Sequence, residues 1–184
     1  MAADLGRAAE ALPDRLGRAL IALWHRLPAT FERQLHAIGH RAEAYHFDDG
    51  YDDVLRAADG LEQLGLQGVF FIIGSRIGKP GHASRAMLRE LAARGHEVGN
   101  HTHTHRSMPG LPADDVRRDI EAAQLVLADI VGTRPQRLAW PHGHHDPVTD
   151  AVAAEFGFVE VRDISNVVHN IAGMTRASLR RLFR

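Results

Sequence analysis

The chain has 184 residues, 45% of them hydrophobic and 24% charged, with a formal net charge of -1; this fits one ordinary globular domain and offers no global field directed at nucleic acid or an anionic membrane. It has no cysteine, which excludes disulfides and restricts any metal site to imidazole, carboxylate and carbonyl donors, and its 13 histidines make such a site easy to furnish. The longest apolar runs, Ala19–Trp24 and Val69–Ile73, fall far short of the ~20 residues of a membrane span, and the N-terminus, with Asp4, Glu10 and Asp14, has no signal-type apolar core, so the chain as given reads as cytoplasmic.

Leu12, Leu16, Ala19, Leu23 and Leu27 recur at helical spacing and predict a helix over residues 8 to 27, ended by Pro28. A second short helix is expected over 30 to 38, interrupted at Gly39. No chemistry is visible in this stretch, so residues 1–41 read as an N-terminal helical extension to a domain spanning 42–184.

From there the pattern alternates. Ala44–Phe47 predicts a strand, 52–64 a helix with Val54, Ala58, Leu61 and Leu64 on one face, and Val69–Ile73, apolar at every position, a strand buried on both faces. A helix over 84–94 stops at Gly95, and Glu97–Asn100 is a short strand. The clearest helix covers 113–131, with Val116, Ile120, Ala123, Leu127 and Ile130 on one stripe and Asp114 and Asp115 in its first turn, where they suit the helix dipole. Strand Arg137–Trp140, helix 147–156 and strand Phe158–Val161 follow. The last residues, Arg176–Arg184, are basic and read as a solvated or docked tail.

Such alternation argues for an α/β fold with a parallel sheet. A full eight-fold barrel needs about 250 residues, so an incomplete or distorted barrel, or an open sheet, is expected. In either architecture ligands gather at the C-terminal strand ends, where three motifs fall. In His46-Phe47-Asp48-Asp49-Gly50, two carboxylates at a strand end point in different directions, one free to face a metal and the other a reacting atom, although Asp-Gly is also a common turn pair. In Asn100-His101-Thr102-His103-Thr104-His105, His101 and His105 share a helical face, while all three histidines share a strand face; either arrangement directs two imidazoles at one ion, with His103 as a further candidate ligand. In Ala139-Trp140-Pro141-His142-Gly143-His144-His145, Pro and Gly set a tight loop whose leading aromatic, Trp140, can line a sugar-sized pocket.

Together Phe47-Asp48-Asp49-Gly50 and His101-Thr102-x-x-His105, about 50 residues apart across a helix, an apolar strand and another helix, resemble the first two motifs of the polysaccharide deacetylases, carbohydrate esterase family four, which includes nodulation-type chitooligosaccharide deacetylases. The resemblance runs from about Phe47 to Val161. It implies a distorted (β/α)7 barrel, here with extra N-terminal helices; one divalent metal ion, Zn2+ first and Co2+ or Ni2+ also accommodated, on Asp49, His101 and His105; Asp48 as general base; and Trp140, Pro141 and His142 at the substrate, the His142 backbone N–H helping to hold an oxyanion. The implied activity is metal-dependent hydrolysis of N- or O-linked acetyl groups on an acetylated oligo- or polysaccharide, that is, of carbon–nitrogen bonds other than peptide bonds in the N-linked case.

The third motif departs from the family. Many members carry an Arg where Ala139 stands, and Arg137, on the same strand face, is the substitute the sequence offers. The family's proton-donating His lies after an apolar strand well downstream; here His169 is the candidate, behind a stretch containing Arg162, Asp163, Ser165 and Asn166, with His142, His144 and His145 as alternatives. These gaps motivate two rival readings: a catalytically silent glycan-binding or metal-stabilised module, and a hydrolase of a different C–N bond on the same scaffold. Retention of Asp48 favours an enzyme, since a structural metal site has no use for a carboxylate beside its ligands.

Overall fold

The computed structural model describes residues 21–42, 44–162 and 169–170. Twelve elements follow one another: β1 (Ile21–Trp24), α1 (Phe31–Ile38), β2 (Ala44–Phe47), α2 (Val54–Glu62), β3 (Val69–Ile72), α3 (Arg85–Ala93), β4 (Glu97–Asn100), α4 (Ala113–Val131), β5 (Arg137–Ala139), α5 (Pro147–Glu155), β6 (Glu160–Arg162) and β7 (His169–Asn170). The strands form one sheet in the order β6-β5-β4-β3-β2-β1-β7, and every pairing is parallel. The arrangement is the incomplete barrel the chain length called for.

One expectation is corrected at the start. Residues 21–24, assigned by periodicity to a helix over 8–27, are strand β1, paired with β2 through Ile21↔Ala44 to Trp24↔Phe47; residues 8–20 lie outside the described residues, as does the basic stretch 176–184. Ile21-Ala22-Leu23-Trp24 is apolar at every position and buried at every position, the pattern of a strand covered on both faces. A slot between β2 and β7 outweighs the helical spacing. Ala22, Trp24, Phe31, Leu35 and Ile38 share one core cluster with Phe47, Leu61, Phe70 and Leu91. The second helix is present as expected, as α1.

Side chains alternate across each strand, so each strand has an outer and an inner set. Tyr45, Phe47, Phe70, Ile72 and Val98 point outward into the helix-covered core, where Trp24 stacks on Phe47 at 5.4 Å and Phe47 on Phe70 at 4.7 Å. Leu138 and Trp140 do the same against Val116 and Ile120 of α4 and Val152 of α5. Fully burying each such side chain stabilises the fold by about 1.5–3 kcal/mol. The opposite set, His46, Phe71, Gly99, Ala139 and Arg162, faces the barrel interior. A Cβ at Gly99 would come within 2.6 Å of the Phe71 ring, so only glycine lets that ring lie across β4.

Helix ends follow local chemistry. Ser84 caps α3 by accepting from the Met87 amide, Asp146 and Thr149 form a reciprocal capping box at α5 with Pro147 in the first turn, and Gly132 closes α4 in the left-handed conformation. Strand β6 begins at Glu160, two residues later than the apolar pattern suggested, which brings Arg162 into the strand. Among the described residues no helix is long and apolar enough to cross a membrane.

Candidate functional site

Motifs one and two meet at the C-terminal edge of the sheet. Asp48 follows β2, its amide donating to the Trp24 carbonyl at 2.8 Å. The chain then turns through Asp49 and Gly50, both at positive φ (72° and 67°). That turn swings the Asp49 carboxylate towards the loop after β4, where Oδ1 lies 3.5 Å from His101 Nε2 and 3.2 Å from His105 Nε2. One donor atom from each of Asp49, His101 and His105 lies within 4.8 Å of the others, and this is the one such trio among the described residues.

The donor set fits a cation. Asp49 Oδ1 is buried and has no hydrogen-bond partner among the described residues, an expensive state unless something positive completes it. His101 Nδ1 lies 2.8 Å from the Ala139 carbonyl; a carbonyl only accepts, so Nδ1 carries the proton and Nε2, on the Asp49 side, presents its lone pair. Burial, the neighbouring His101 and, further out, His142 push the His105 imidazole down to about 4, leaving it neutral at neutral pH, as a ligand must be. Burial pushes the Asp49 carboxyl up, but the facing imidazoles of His101 and His105 outweigh it and hold the group below the usual carboxylate range.

His103 is not in the trio. Its amide is tied to Asp119, and its ring packs against Gly74, where an added Cβ would lie 2.7 Å from Nδ1. His142 is exposed, at φ 59°, with its ring 4.8 Å from that of His105. Trp140, expected at the substrate, is 2% exposed, and its side chain packs in the core under α4 and α5. Pro141 is buried beside it. His169 lies on β7, whose backbone pairs with β1 at Ala22.

Four residues other than glycine take positive φ among the described residues: Asp49, Thr102, His105 and His142. Each costs of order 1–3 kcal/mol and persists only where its surroundings enforce it. All four lie in the three motifs.

The residue the sequence hid is Arg162. Only 3% exposed at the end of β6, it donates through Nη2 to both oxygens of Asp48, with Oδ2 at 2.5 Å, and its guanidinium lies 4.9 Å from the centre of the Phe71 ring. Arg162 is the register partner of Ala139. Arg137, the other arginine the sequence offered, pairs with Glu97 at 2.8 Å and with Glu160, at the other end of the strands. The available signal was the alternation Glu160-Val161-Arg162, which places a charge on the inner face at a strand end.

The sequence pattern of the polysaccharide deacetylases matches residues 39–161. The chain belongs to that family. It is 28% identical over 102 residues to a peptidoglycan-N-acetylglucosamine deacetylase of Bacillus cereus, covering 54% of this chain and 36% of that protein; two further curated relatives are spanned over 40% and 21% of their length. Among solved structures, IcaB from Ammonifex degensii superposes with a TM-score of 0.75 at 22% identity, over 91% of this chain and 97% of that one, a likeness of fold. A family 4 acetyl xylan esterase from Clostridium thermocellum, solved with a cobalt ion, superposes at 0.53 with 29% identity over 59% and 53%. In this chain the guanidinium that reaches Asp48 comes from the strand beside Ala139.

Proposed function

We propose that this family member is a metal-dependent carbohydrate deacetylase, removing N- or O-linked acetyl groups from an oligo- or polysaccharide. The observation that carries the reading is Asp48: a buried carboxylate outside the metal-type trio, beside it, and fixed by Arg162. A site built only to hold an ion, or only to grip a glycan, has no need of it. The relatives act on acetylated glycans by name, and the cobalt-bound esterase supports a divalent ion.

Asp49, His101 and His105 would hold the ion, leaving coordination open for water and substrate; Zn2+ suits the donors best, with Co2+ or Ni2+ accepted. When bound, the ion would supply Lewis acidity, activating water and polarising the acetyl carbonyl. Asp48 takes the proton as the water oxygen bonds to the carbonyl carbon, and Arg162 keeps its carboxylate aimed. The backbone N–H of His142 stabilises the oxyanion. Cleavage of the C–N or C–O bond passes the proton to the sugar amine or alcohol and releases acetate.

The experiment is acetate release from N-acetylglucosamine oligomers and from acetylated xylan, with Zn2+ or Co2+ supplied. Metal-dependent acetate from either class supports the reading. A protein that holds metal tightly yet frees acetate from no acetylated glycan returns the site to a silent binding module.

A further inference from the structure

Helix α4 runs behind the His101–His105 loop, and Asp119 sits among its core-facing residues at 6% exposure. A carboxylate is rarely buried so deeply unless it is fully engaged. Asp119 Oδ1 accepts the backbone amides of His103 at 2.6 Å and Thr104 at 3.0 Å; Oδ2 accepts the Thr104 hydroxyl at 2.5 Å, with Arg106 Nε 3.6 Å away. The next residue, Ile120, offers its carbonyl to Asn100 Nδ2 at 3.1 Å, while Asn100 Oδ1 accepts the Thr102 amide at 2.7 Å. Thr102 Oγ1 accepts the His105 amide at 3.2 Å.

Every backbone N–H from Thr102 to His105 is therefore spoken for by a side-chain oxygen, two of the four by Asp119. No regular secondary structure holds this loop, and two of its residues, Thr102 and His105, are left-handed at 61° and 59°, a conformation costing roughly 1–2 kcal/mol per residue. Those two conformations aim His101 and His105 at one point. We infer that Asp119 is a positioning residue for the metal site, acting on His101 and His105 through the loop backbone and not on the ion itself. The inference rests on the metal-binding reading above.

The test measures Zn2+ affinity by competition with a chromophoric chelator, and the Co2+ absorption spectrum, on metal-stripped wild type, Asp119→Ala and Asp119→Asn. Outer partners of metal ligands are worth about 10–100-fold in affinity, and Asp119→Ala should lose that much, with a shifted Co2+ band. Asp119→Asn keeps an oxygen for the two amides but gives up the hydroxyl's acceptor, so its loss is smaller, roughly threefold to tenfold. If Asp119→Ala does not fold, Asp119→Asn decides alone. Wild-type affinity and spectrum in either folded variant, even with a lowered melting temperature, reduces Asp119 to a fold-stabilising group and overturns the assignment. A wild type that binds neither Zn2+ nor Co2+ is a separate result: it removes the metal reading, and this inference with it.

Discussion

Arg162 and Asp48, 114 residues apart in the chain, are joined in the barrel interior, the guanidinium reaching from β6 to both carboxylate oxygens. Breaking a buried pair by removing one partner typically costs about 3–5 kcal/mol, because the other charge is left uncompensated. Arg162→Met should destabilise the protein by that order, and should lower kcat about a hundredfold by letting Asp48 drift. Arg137→Met is the control: its partners Glu97 and Glu160 lie away from Asp48, and the part-exposed side chain contributes about 1 kcal/mol or less, so kcat should hold. Urea denaturation and acetate-release kinetics on the two variants decide it; equal losses of kcat would mean Arg162 has no special relation to the base.

His46 sets a pH dependence. It is fully buried, neither ring nitrogen has a partner among the described residues, and burial, reinforced by the Arg162 charge, pushes its imidazole down to about 3. An unfolded histidine titrates near 6.5. Between about 3 and 6.5 the unfolded chain holds a proton that the folded one refuses, so stability rises with pH through that window and is fully present above it. The His46 contribution has a slope of up to about 1.4 kcal/mol per pH unit. Melts of metal-free protein between pH 4 and 7 should show a shallower dependence in His46→Phe than in wild type; parallel curves would contradict the assignment.

Gly50 ties the fold to the site. It lies at φ +67°, and a Cβ there would sit 2.9 Å from Ile72 Cδ1 and 3.3 Å from Cγ2. Crowding of this kind costs about 1–3 kcal/mol, added to left-handed strain. Gly50→Ala should therefore lose stability and, by shifting the adjoining Asp49, also loosen metal binding. Urea midpoints with chelator-competition titrations check both; a stability loss with unchanged metal affinity would show that the turn does not transmit to Asp49.

What the sequence conveys well is local. Val69–Ile72 and Ala113–Val131 form the expected strand and helix because each carries an unbroken period. Asp49, His101 and His105 were legible because spaced motifs and coordination chemistry name the same three residues. What the sequence conceals is set by neighbours distant in the chain. Ile21–Trp24 has helical spacing on one side and a buried-strand run within it, and the sheet decides between them. Arg162 and Asp119 carry no motif: the first gains its meaning from the register Ala139↔Arg162, the second from α4 lying behind a loop two of whose backbone amides Asp119 accepts. The burial of Trp140 was hidden too, because an aromatic at a loop's head looks exposed until α4 and α5 cover it.

The central claim is that Asp48 performs chemistry while Asp49, His101 and His105 hold the ion. It is tested most directly by assaying bound metal and acetate release in the same samples of wild type, Asp48→Asn and Asp49→Ala. The account predicts that Asp48→Asn binds Zn2+ like wild type and releases acetate about 10²–10⁴-fold more slowly, while Asp49→Ala loses the metal itself. Asp48→Asn that deacetylates at the wild-type rate, or Asp49→Ala that retains wild-type metal affinity, would contradict it.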